Sequence, residues 1–411
     1  MALKTTLIVL TLISVVADTM VLPFYPQFFS QAFGMTDPEH VGFYIAACCF
    51  TVMVAFPIWA RVAHRVHELH LWIITQLIAA ALGVFCYYTT SLVQFWIASQ
   101  LMLVFKASYL LIYPFVMRLE EKDKHLGVAS LFSVLMHFGG IGGAILGGLT
   151  LDYFNARDLY LIMPASDLIQ VGLCVYLIYA LKISHKPHLP PVPASHKSPS
   201  LLTRLIPKLS GYVWRLGLVS LMFYFSAFLT RPFFTKYWQQ LTQSSEFITS
   251  WVYAIPAWIA LACMAFNHWR GHSQNSFSLI LWGAVFGVLG MFLQSSEQIT
   301  WIVVGRCLFG YAMFQITVRL EVLLFAQSSP EKYSSDFSTI NFMQNLGVIG
   351  ASFLVGYLAD HYALSLTFTL GAIGFTASLA AFLLLCQQFK QSKQDNTASA
   401  VNDAQTAGAE S

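Results

Sequence analysis

Seven ionisable side chains lie inside long apolar stretches of this chain: Asp18, Lys106, Asp167, Arg231, Arg306, Arg319 and Glu321, together with one histidine, His137. A charged group held in hydrocarbon costs about 3 kcal/mol or more, so each marks a place where the chain has something to bind or move. Asp18, Asp167, Glu321 and His137 can take up and release a proton, which makes them the proton-coupling candidates. Lys106, Arg231 and Arg306 are cations able to hold an anionic group. With Arg319 counted, the cations outnumber the carboxyls by one, and a low-dielectric chamber of that sign favours anions or the anionic part of a zwitterion. Desolvation favours a neutral carboxyl and a neighbouring ammonium favours a carboxylate. Asp18 and Lys106, both near the middle of their stretches, are therefore the pair expected to exchange a proton as their surroundings change.

Helical spacing sorts the polar neighbours of these charges into stripes. At about 100° per residue, Thr11, Ser14, Asp18 and Tyr25 share one face, and Lys106, Tyr109 and Tyr113 share another. Ser220, Tyr224, Arg231, Thr235 and Trp238 form a third stripe, and Asn341, Gln344, Asn345 and Ser352 a fourth. Such faces suit a cavity that stacks rings and orients a few hydrogen bonds; they also suit polar contacts that hold helices together. His137, one turn after Ser133, reads either as a relay or as a neutral core histidine. Arg319 and Glu321 point to opposite sides of their helix and are not expected to pair. The cysteines lack metal-ligand spacing and read as small core residues. His64, His67 and His70 have no carboxylate or cysteine completing a site, so neither a metal nor a cofactor is expected.

The elements that position these residues follow from composition. Of 411 residues, 57% are hydrophobic and 10% charged, against about 25% charged in ordinary soluble domains. Apolar runs fall near 5–29, 41–60, 71–90, 94–117, 127–151, 159–181, 212–235, 249–266, 277–295, 299–325, 337–359 and 365–386, each long enough to span a bilayer as a helix. An all-α bundle of twelve transmembrane helices is expected, because the runs are twice the length of a barrel strand. Lys4, Arg61, Arg65, Arg118, Lys182, Arg204, Arg215, Arg270, Lys332 and Lys390 all fall on one side of it, with Arg157 and Lys236 as exceptions. Asp37, Glu39, Asp152, Asp158, Glu246, Glu297 and Asp360 fall on the other. The positive-inside rule then places both termini in the cytoplasm, with a bacterial inner membrane as the expected location. The near-neutral net charge of +3 gives no reason to expect nucleic acid.

The expected domains are a six-helix bundle over 1–182, a proline-rich cytoplasmic linker over 183–211, a second bundle over 212–386 and a disordered tail over 387–411. The two bundles repeat one another. Leu22-Pro23-Phe24 returns as Arg231-Pro232-Phe233, and Gly139, Gly142, Gly148 and Asp152 return as Gly347, Gly350, Gly356 and Asp360, about 208 residues on.

On this duplicated architecture the chain resembles the major facilitator superfamily, whose members hold two six-helix halves around a central cavity. The family's loop after the second helix reads Gly-x-x-x-Asp-Arg-x-Gly-Arg. Here Pro57 to Arg65 keeps the final arginine and replaces the acidic residue with Arg61. Arg61 and Arg65 are expected to pair with Glu120 and Glu121 as gating contacts, or to be solvated loop charges. Gly139, Gly140, Gly142, Gly143, Gly147 and Gly148 look like the glycine motif of the family's antiporter branches, and Arg306 with Gly310 matches its arginine-to-glycine motif. The resemblance implies that the first, fourth, seventh and tenth helices line the cavity, leaving Asp167, in the sixth, outside it.

No GxxxxGK[ST] signature is present, so uphill movement must draw on an ion gradient or on exchange. The expected function is a secondary transporter that carries out proton-coupled efflux of a small anionic or zwitterionic compound such as a carboxylate siderophore, a related metabolite or a drug. Proton-coupled uptake of a nutrient or siderophore, and a non-transporting membrane sensor, are the alternatives. Expected partners are the small molecule, protons and the lipid bilayer, with the chain acting as a monomer and not as an enzyme.

Overall fold

The structure, a computed structural model, describes residues 2–119, 125–183, 211–270, 276–328 and 333–385. Its first half contains α1 (Ala2–Thr19), α2 (Tyr25–Phe33), α3 (Pro38–Val62), α4 (Glu68–Tyr88), α5 (Leu92–Lys106), α6 (Ile112–Leu119), α7 (His125–Tyr153) and α8 (Leu159–Leu181). The second half contains α9 (Gly211–Phe228), α10 (Phe234–Thr242), α11 (Glu246–Arg270), α12 (Ser276–Gln294), α13 (Ile299–Gln327), α14 (Tyr333–His361) and α15 (Ser365–Leu385). No strand occurs among the described residues. The linker core, the C-terminal tail, Glu120 and Glu121 lie outside them, so the expected pairing of Arg61 and Arg65 does too.

Eleven stretches among the described residues are long and apolar enough to cross a membrane. The expected seventh span is divided: Arg231-Pro232-Phe233 separates α9 from α10. The related Leu22-Pro23-Phe24 forms a 3-10 turn between α1 and α2, although Thr5–Phe33 still counts as one crossing. A proline lacks the amide that an interior helix position must donate, so the duplicated motif interrupts both helices at corresponding places.

Within the first half α1 packs on α7 and α8, and α4 on α5 and α8; within the second, α9 packs on α14 and α15, and α12 on α13 and α15. The glycine motif explains the first of these contacts. A Cβ on Gly139 would meet the Val15 side chain, and one on Gly143 or Gly147 would strike Thr19 or the carbonyl of Met20. Gly347 and Gly350 admit Leu221 and Phe225 of α9 in the same manner. Most of the motif thus brings helices of one half together; Gly148 alone among those contacts reaches the other half.

The halves meet along two seams, α3 with α14 and α7 with α11. At the end of the bundle that carries Asp37, Asp152, Glu246 and Asp360, here termed the acidic end, both seams are closed backbone to backbone. Gly42 lies against Ser352 and Gly356, and Gly148 against Glu246 and Ser250. Between the seams Thr235 donates to the carbonyl of Pro23 at 2.6 Å, and Gln27 donates to Gln239 at 3.1 Å. The α7–α11 seam continues towards the linker end through Phe138 with Trp258 and Ser133 with Met264.

Candidate functional site

The backbone is irregular where Lys106 sits. α5 ends at this residue, a 3-10 stretch follows over Ala107–Leu111, and α6 resumes the path. Tightening from α to 3-10 geometry releases carbonyls from their usual partners. Two tryptophans collect them: the Trp59 indole donates to Val104 O at 2.5 Å and the Trp72 indole to Ser108 O at 3.0 Å. The Thr75 and Ser108 hydroxyls meet at 2.7 Å beside them. On the facing helix α8, Pro164 precedes Asp167 by less than one turn, and Gly83 of α4 leaves room for its ring.

These distortions bring three charges together. The Lys106 ammonium donates to Asp18 Oδ1 and to Asp167 Oδ1, each at 2.7 Å. Ser14 donates to the other oxygen of Asp18 at 3.1 Å. Asp167 Oδ2 is buried without a hydrogen-bond partner, as is the Tyr109 hydroxyl beside Thr11, Ser14 and Asp18. With all three groups ionised the cluster carries one net negative charge, and a single proton makes it neutral. Side-chain exposure separates the carboxyls: Asp167 is 0% exposed and Asp18 37%. Asp18 is therefore the carboxyl of the two that is open to solvent. The expected pair of Asp18 and Lys106 is present, and Asp167, a proton-coupling candidate on a helix not expected to line the cavity, lies with them. A position in the sixth helix reaches the cluster because α8 packs directly on α1.

Arg306 has a different environment from the cavity position expected of it. It is 2% exposed, its Nε donates to Val252 O at 3.4 Å, and its Nη2 donates to Tyr253 O. Its guanidinium lies 3.9 Å from the Phe234 ring centroid and 5.4 Å from that of Tyr253. Pro256 in α11 supplies no amide to the Val252 carbonyl, and the guanidinium takes its place. Gly310, one turn after Arg306, lets α13 approach Pro256: a Cβ there would lie 2.6 Å from the proline Cα. The arginine-to-glycine motif thus seats one helix on the proline distortion of its neighbour. Free cation character for an anionic solute is not what this geometry offers.

Arg231 is exposed at the break between α9 and α10, and no ion pair involving it occurs among the described residues. Tyr224 lies beside Thr317 and within electrostatic reach of Arg231 and Glu321. Glu321 is half-buried and also faces Tyr113 of the first half, whereas Arg319 lies towards Tyr311 with its Nε buried and unpartnered. The α14 amides bond back onto their own helix, Asn341 to Phe337 O and Asn345 to Asn341 O, while Gln344 is buried. Tyr25 packs on Phe29 and Tyr44 inside the first half. His137 is tied to the carbonyl of Ser133 at 2.7 Å, the ordinary arrangement of a histidine within a helix.

Four residues have no role that the sequence alone assigns. Glu68, at the helix start nearest the linker end, is fully buried. Gln76 and Gln170 join α4 to α8 at 3.4 Å. Asp152 hydrogen-bonds two amides of the opposite half, and membership of the repeat was the one signal in the sequence that set it apart.

The chain belongs to the Major Facilitator Superfamily, whose family model matches residues 7–347. Its fold is that of solved transporters at low identity. The POT family transporter PepTSo aligns with a TM-score of 0.75 at 11% identity, covering 94% of this chain and 98% of that one. The nucleoside transporter NupG aligns at 0.69 and 15%, covering 94% and 99%, and the human organic anion transporter MFSD10 at 0.69 and 14%, covering 92% and 98%. No curated protein matches it in sequence. The chain is thus a multi-pass membrane transporter by family and fold.

Proposed function

We propose that this transporter couples protons to the export of a small anionic or zwitterionic organic compound, a carboxylate siderophore or related metabolite being the leading class. The observation that carries the reading is one lysine shared by two aspartates, one of them dry and the other open to water. Protonating Asp18 neutralises the cluster while Asp167 keeps Lys106 charged and in place. The energy difference between a neutral and a singly negative cluster in low dielectric is large enough to bias two conformations of the bundle.

Lys106 is occupied by its two carboxylates and Arg306 by backbone, which leaves Arg231 and Arg319; the exposed Arg231 is the one we assign to a solute carboxylate, since the Arg319 Nε is buried. Tyr224 beside it offers a ring and a hydroxyl, and the Oδ1 atoms of Asn341 and Asn345 remain as acceptors for hydroxyl or ammonium groups. The closure at the acidic end, together with the basic residues at the other end, supports an inward-facing form with both termini in the cytoplasm.

The test is solute movement in proteoliposomes. Organic acids, siderophores and drugs are screened first by thermal stabilisation of the purified chain, because a ligand that binds the folded form raises its apparent stability. Stabilising compounds are then followed under an imposed pH gradient. Accumulation of a carboxylate compound driven by the gradient in the sense of proton exchange is the expected result. Movement in the same direction as protons would establish uptake instead, and binding without movement would leave a sensor.

A further inference from the structure

Asp152 stands in the last turn of α7 and accepts hydrogen bonds from the backbone N–H groups of Glu246 and Phe247, both at 2.9 Å. Those amides begin α11, which belongs to the other half. The first amides of a helix have no partner within it, and a carboxylate there also meets the positive end of the helix dipole. One turn earlier, a Cβ on Gly148 would lie 2.6 Å from Glu246 O and 3.0 Å from the Ser250 side chain. The carboxylate therefore reaches its amides only while the two helices are in backbone contact.

The repeat-related seam lacks this device. Gly356 packs on Gly42 and Glu39 as Gly148 packs on Ser250 and Glu246. Asp360 occupies the position corresponding to Asp152, but α3 has no pair of amides to offer it. Pro38 has no N–H, and the N–H of Glu39 is taken at 2.8 Å by Asp37 of its own half. Asp360 lies instead against His361, at 3.4 Å, with its side chain 41% exposed, and His361 reaches Glu39 of α3 at 3.8 Å, an open side-chain contact that caps no helix amide.

We propose that Asp152 is a one-sided latch that holds the acidic end closed and must release the α11 amides each time that end opens. The inference rests on the transporter reading for its purpose, but its test does not require a solute to move. The full-length protein in nanodiscs is compared with Asp152→Asn and Asp152→Ser by hydrogen–deuterium exchange, reading segments 244–252 of α11, 38–46 of α3 and 366–382 of α15. A latch loosens both seams together, so both the α11 and the α3 segments should exchange about tenfold faster in Asp152→Asn. The α15 segment should be unchanged, and Asp152→Ser, a neutral capping side chain, should fall between.

Faster exchange confined to 244–252 would reduce Asp152 to a local helix cap and overturn the proposal. So would an equal effect from Asp360→Asn, which should leave both seams as they are, or failure of both Asp152 variants to fold. If the seams loosen and no compound moves in proteoliposomes, the latch stands and the transport reading is what fails.

Discussion

Replacing Lys106 with methionine tests the central cluster most directly. Methionine fills nearly the same volume, so little of its effect comes from a cavity. What is lost is the ammonium that donates to both aspartates at 2.7 Å. Removing one member of a buried ion pair costs about 3–5 kcal/mol, because the partner remains uncompensated. Here Asp167 is fully buried while Asp18 is partly open to water, so the cost should fall at the lower end, about 3 kcal/mol at pH 8. The sign with pH follows from proton counting. Without the cation the fully buried Asp167 carboxylate beside Asp18 is uncompensated, so the folded variant binds more protons than its unfolded chain. Its stability must then fall as pH rises and recover towards pH 5. Thermal unfolding of the purified chain at pH 5, 6.5 and 8 measures this, with Lys106→Met combined with Asp167→Asn as the closing arm of a cycle. The double variant should regain most of the loss at pH 8. A Lys106→Met protein as stable as the parent at pH 8, or one with the opposite pH trend, would refute the shared-lysine cluster.

Other consequences follow from the same geometry. Asp18→Asn should keep solute counterflow in proteoliposomes while losing its response to a pH gradient; an undiminished response removes Asp18 from the coupling role. Arg231→Gln is expected to change stability by no more than about 0.5 kcal/mol, as exposed substitutions do, yet to weaken carboxylate binding at least tenfold in thermal-shift titrations. Unaltered binding would move the anion site elsewhere. Arg306→Leu should cost about 2–4 kcal/mol by stranding the carbonyl of Val252 and removing a second donor from that of Tyr253. Adding Pro256→Ala, which returns an amide to Val252, should recover part of that loss in the same unfolding assay, and no recovery would mean that the arginine acts through something other than backbone satisfaction.

Much of this protein is legible in its residues alone. Run length and the scarcity of charge dictate a membrane bundle, because lipid offers backbone groups no alternative partner to their own helix. The repeat announces two halves, but the runs 5–29 and 212–235 read as continuous in the sequence, and only the structure shows the breaks at Pro23 and Pro232. Asp18, Lys106 and Asp167 each stand out as costly charges. Their meeting does not, since α1, α5 and α8 are brought together by packing between segments far apart in the chain. Arg306 looks like a free cation until the orphaned carbonyl at Val252 is seen, and Gly148 looks like its neighbours until it alone is found against the opposite half. Local composition sets what each residue costs in lipid; only the three-dimensional arrangement decides which partner meets that cost, because the partner's distance is a property of the whole fold and not of any segment.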